Sequence, residues 1–161
     1  MPQQLEQHGD DATGSGAAVA PLSSRAIELL RRADAELLAA QFSSEAWEQF
    51  SHAHLVALRA GAAVVAARST GTGRRAPRTV WDLLDAVAPE LGSWSAYFAA
   101  AATLRSAVDA GRFEELTPAR AEQALCAAED FVDAARSAVH GTDAHGAPAA
   151  AVPRMRALRA S

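Results

Sequence analysis

The chain has 161 residues, half of them hydrophobic and 21% charged, with a formal net charge of −4 and a pI near 5.7. That length fits one domain able to bury a core without staples, and the acidic balance excludes a general nucleic-acid coat, which calls for a basic surface. Forty-two alanines, one isoleucine, no lysine and no asparagine leave all 15 basic positions to arginine, a bias that points to a GC-rich coding sequence more than to a physical demand.

Residues 1–21 mix Gln, Gly, Asp and Ser without periodicity and read as a disordered leader with no signal-peptide character. Ser23 is the expected N-cap of a first helix, whose predicted face runs through Ile27, Leu30, Asp34, Leu37, Leu38 and Gln41. Phe42 and Ser43 form a short turn, and Ser43 or Ser44 is expected to cap the next helix. Two helices joined so closely should pack antiparallel.

The stretch Ser44–Arg68 has no proline and one glycine, so it is predicted to be one long helix of roughly 37 Å at 1.5 Å per residue. Trp47, Phe50, His54, Leu58, Gly61 and Val65 recur at steps of three and four, flanked by Ala53, Ala57, Ala60 and Val64, which makes it the central helix. Gly61, Ala62 and Ala63 leave room for a neighbour to come close. No apolar run in the chain approaches the ~20 residues of a membrane span, and a cytoplasmic location is expected.

The connection STGTGRRAPR breaks the helix and, with Arg68 before it, gathers Arg68, Arg74, Arg75 and Arg78 without an acid among them. Thr79 and Asp82 have the spacing of a capping box, and Pro89 should end that third helix near Ala88. Ser93 is the expected cap of a single fourth helix reaching Gly111. Thr117 followed by Pro118 opens a fifth, with Ala121, Leu125, Ala128, Phe131 or Val132, Ala135 and Val139 on one face. Residues 142–161 read as a flexible tail, basic through Arg154, Arg156 and Arg159. No strand pattern occurs, so the expected fold is all-α, an antiparallel four- to five-helix bundle over residues 22–141.

Chemistry has few candidates. His52 and His54 lie about 200° apart on a helix and cannot share a metal, and no Glu-x-x-His pair or Cys/His spacing is present, so neither metal nor cofactor is expected. His54 reads as a hydrogen-bonded core histidine, His52 as the partner of Glu48 one turn away, and the lone Cys126 as a buried, inert thiol. Arg136 and His140 share a face at i and i+4. They either cap the negative end of the last helix or form a phosphate clamp and general base. Arg74, Arg75 and Arg78 are either a solvated loop or a phosphate-contacting patch.

The central segment HAHLVALRAGAAVVAAR, the arginine-rich loop and PRTVWDLLDAVAPELGSWSAYFAAAA, with PR-x-VW-x-LL and APELG-x-W as the most specific parts, resemble a small actinobacterial branch of the HEPN superfamily (higher-eukaryote and prokaryote nucleotide-binding domains) over roughly residues 23–140. The resemblance implies a four- or five-helix bundle, often a homodimer, and either a metal-independent ribonuclease of a toxin–antitoxin or defence system or a nucleotide-binding, RNA-binding or accessory module. The catalytic signature of the superfamily is an arginine followed after four to six residues by a histidine. Arg136 and His140 have three residues between them, so the preferred reading is a non-catalytic module that binds RNA, a nucleotide or a protein. The alternatives are a ribonuclease using Arg136 and His140, and a purely structural helical interaction protein.

Overall fold

A computed structural model describes residues 23–69 and 78–141. The expectations for residues 1–21 and 142–161, and for Arg74 and Arg75, fall outside these. Among these residues six α-helices occur: α1 (Ser24–Phe42), α2 (Ala46–Arg68), α3 (Val80–Val87), α4 (Gly92–Ala100), α5 (Ala102–Asp109) and α6 (Pro118–His140), with 3-10 turns at Pro89–Leu91 and Phe113–Glu115. The described residues hold no strand, and the all-α bundle is as the sequence predicts.

Three of the predicted starts are built as expected. The Ser23 hydroxyl accepts from Ala26 N at 3.0 Å, and Thr117 Oγ1 accepts from Arg120 N with Pro118 at the first helical position. Thr79 and Asp82 form a reciprocal capping box, whose hydrogen bonds, aided by nearby Arg78, hold the Asp82 carboxyl below its usual range. Two other starts differ. The residue capping α2 is Glu45, which makes no side-chain cap bond, because Ser43 instead turns back to donate to Ala39 O of α1. The helix after α3 starts at Gly92 through the Pro89–Leu91 turn rather than from Ser93, and it breaks at Ala101 into α4 and α5. Beyond α5, Gly111 sits at φ 78°, the left-handed conformation that glycine adopts without a Cβ penalty.

α1 pairs antiparallel with both α2 and α6. Gln41 Nε2 donates to Glu129 Oε1 at 2.8 Å, and 102 residues apart in sequence Arg136 meets Asp34. α2 and α6 consequently run parallel: Trp47 near the start of α2 stacks on Phe113 just before α6, ring centroids 5.0 Å apart, while Arg68 at the end of α2 donates to Ala138 O near the end of α6.

α2 is central, as predicted, but its deepest line is rotated. Ala53, Ala57, Ala60 and Val64, expected at the flank, are fully buried together with Val56 and Ala63, whereas Trp47, Leu58 and Val65 are half-buried. On α1 the shift is the same in kind: Ala26, Leu30, Ala33 and Ala40 face the core, and Ile27 and Leu38 face outward. Alanine is apolar and small enough that a helix rich in it can turn either side inward, and bulk on the partner helices decides. Gly61 serves the predicted close approach. A Cβ there would lie 3.4 Å from Trp81 Cζ3 and 3.6 Å from Val80 Cγ2, so α3 rests on α2 at this point.

By length and composition α2 also qualifies as a membrane span, contrary to the expectation that no segment would. Half of its apolar window is buried inside the fold, which is how the central helix of a bundle meets the same test.

Candidate functional site

Arg136 and His140 lie on the last turns of α6. Arg136 Nη2 donates to Asp34 Oδ1 at 2.6 Å and Nη1 to Asp133 Oδ1 at 3.3 Å, so the guanidinium is held between a carboxylate of α1 and one of its own helix. His140 is the exposed final residue of α6. The two share a helix face, as the sequence requires, yet the arginine that would meet a phosphate already carries two acidic partners. A hollow lined by Ser43, Glu45, Gln49 and Pro118 lies at the opposite end of α6.

Of the four arginines gathered around the loop, Arg68 proves to be a structural junction. Its guanidinium donates to Ala138 O of α6 (3.2 Å) and to Val87 O at the end of α3 (3.5 Å), and it pairs with Glu90 of the following turn. It is itself the last residue of α2, so one cation sits where the carbonyl-rich, partially negative ends of three helices converge. Arg68→Met should cost about 2 kcal/mol, because it unpairs half-buried carbonyls. A thermal midpoint equal to wild type would show that these bonds are not needed. Arg78 is exposed beside Asp82, while Arg74 and Arg75 belong to the 70–77 connection.

The histidines part company. His52 does not pair with Glu48; its Nδ1 lies 2.6 Å from Glu36 Oε2 of α1, and the other oxygen of the same carboxylate takes Arg59 Nη1 at 2.6 Å. Arg59 also donates to Arg32 O, so a largely buried carboxylate clamps α1 onto α2. His54 is 6% exposed and lies among Phe50, Phe98 and Trp81, with ring centroids 6.1–6.4 Å away. Burial, with a smaller push from Arg105 and an opposing pull from Asp109, lowers its pKa to about 4, so at neutral pH it is an uncharged member of an aromatic core. Cys126 is exposed rather than buried. Partial desolvation, then the acids Glu129, Glu122 and Asp130, push its thiol up, which leaves it a poor nucleophile.

Electrostatically the bundle is acidic: the described residues carry ten arginines and fifteen carboxylates. Seven of those arginines, including Arg136, bridge carboxylates of the same chain. Among the described residues no group of three His, Cys, Asp or Glu side chains could hold a metal ion. The arginines in no salt bridge among the described residues are Arg25, Arg78 and Arg120.

No curated protein and no solved structure matches the chain. A family model does, the SAV_6107-like HEPN, over residues 40–136, from the last turn of α1 through α2, the capping box of α3 and most of α6. With the all-α bundle and more than half of the chain within that match, the protein belongs to the SAV_6107-like HEPN family.

Proposed function

We propose that the chain is a non-catalytic HEPN module, homodimeric and cytoplasmic, that binds an anionic partner, RNA or nucleotide, through Arg74, Arg75 and Arg78. The observation that carries this reading is the double engagement of Arg136 by Asp34 and Asp133. Stabilising charge on a cleaved phosphate requires a guanidinium aimed at the substrate and free of competing anions, and here the competing anions come from the fold itself. Most arginines of the bundle are likewise paired with internal carboxylates, and the sequence places its densest run of arginines without an acid among them at positions 74–78.

The test is incubation of purified protein with labelled RNA in EDTA. No cleavage is expected. Binding should weaken as salt rises, by roughly 0.7 log units per phosphate contact for each tenfold of salt on a single strand, and should disappear in the Arg74→Ala/Arg75→Ala/Arg78→Ala variant. Cleavage by wild type that both Arg136→Ala and His140→Ala abolish would replace this reading with a metal-independent ribonuclease.

A further inference from the structure

Among the described residues, four large hydrophobic side chains are exposed, and three of them, Ile27 (50%), Leu38 (56%) and Phe42 (85%), belong to α1. The fourth, Phe113, is stacked on Trp47. At 100° per residue the three fall within about 60° of one another, on a face turned away from buried Ala26, Leu30, Ala33 and Ala40, and at 1.5 Å per residue they span about 22 Å. One exposed leucine needs no explanation, but three large apolar side chains on one outward face of a helix, with charged residues between them, mark a contact surface.

What covers it follows from charge and order. The acidic bundle repels a copy of itself across most of its surface, whereas α1 carries three arginines and three carboxylates and is neutral. Along the stripe the order is Ile27, Arg31, Asp34, Leu38, Phe42, apolar at both ends with charges of opposite sign inside. An antiparallel copy, related by a two-fold axis between positions 34 and 35, sets Ile27 against Phe42 of the second chain. The Arg31 stem then lies along the second Leu38, while its guanidinium stays paired with Glu28 of its own helix at 2.8 Å. The two Asp34 carboxylates nearest the axis are each already neutralised by Arg136 at 2.6 Å. An isologous interface needs this kind of self-complementarity.

From this we infer that the homodimer forms through the outer face of α1, packed antiparallel on α1 of a second copy. The inference rests on the homodimer named above and adds the surface. The experiment is light scattering on the full chain at micromolar concentration, with Leu38→Glu/Phe42→Glu as the variant, and circular dichroism to confirm that the variant keeps its helices. Wild type should give twice the 16.8 kDa chain mass and the variant a monomer. A monomeric wild type would overturn both the dimer and this surface. A variant that stays dimeric would overturn the surface alone. As a measurement that needs no disruptive change, a nitroxide on Ala35→Cys in a Cys126→Ser background should show strong dipolar broadening, since packed helix axes lie about 8–10 Å apart; a dimer without broadening also overturns the surface. RNA binding through the 74–78 arginines is read separately and stands or falls independently.

Discussion

Phe98→Ala is expected to destabilise the domain by about 3–5 kcal/mol, the largest single loss anticipated from one truncation. Phe98 is 1% exposed on the short helix α4. Its ring stacks on Trp81 of α3 at 5.6 Å and meets His54 of α2 at 6.1 Å and Phe131 of α6 at 5.8 Å. One side chain thereby joins four helices, and the space it leaves is walled by rigid rings that cannot collapse inward. Set against a total stability of about 5–15 kcal/mol, the loss would bring the variant close to its unfolding limit. Urea titration followed by circular dichroism measures it, and a loss below about 1 kcal/mol would mean that the aromatic cluster is not the centre of the core.

The second large effect depends on pH. In the unfolded chain His54 titrates at 6.5, and in the fold burial lowers this to about 4. Below pH 6.5 the unfolded state therefore takes up a proton that the native state refuses, and stability falls as the pH is lowered. The loss levels off near pH 4, where the native imidazole protonates as well. Across that window His54 alone should remove about 3 kcal/mol. His54→Leu should keep the neutral-pH fold and flatten this part of the acid limb. Unfolding midpoints measured from pH 7 to pH 4 decide the matter: parallel curves for wild type and variant would show that His54 is not the group responsible.

What the sequence made legible was local. Ser23, Thr79 with Asp82, and Thr117 with Pro118 mark helix starts through bonds that reach three residues, and Gly61 marks the point where α3 comes to rest on α2. What it hid was set by distance along the chain. His52 looked paired with Glu48 one turn away, but its partner Glu36 is 16 residues earlier; Arg68 looked like loop charge, but Ala138 is 70 residues later. The same limit applies to the candidate site. Arg136 and His140 could be picked out by their spacing, while Asp34, which decides what Arg136 is free to do, lies on another helix. The outward turn of Ile27 and Leu38 was hidden for a different reason: in helices this rich in alanine every face looks similarly apolar, and periodicity loses its contrast.

The parallel pairing of α2 with α6 bears on how the chain reaches its fold. The α1–α2 hairpin closes over a turn of three residues, 43–45, so it is positioned to form early. The surface that α2 presents to α6 must then wait for partners at positions 118–140, some 70 residues further on, and such distant contacts slow folding because the intervening loop must close before they are rewarded. During synthesis the apolar flank of α2 stays uncovered until α6 has emerged. Chains cut short before Pro118 would carry that flank permanently open, as targets for aggregation or proteolysis rather than as smaller working domains.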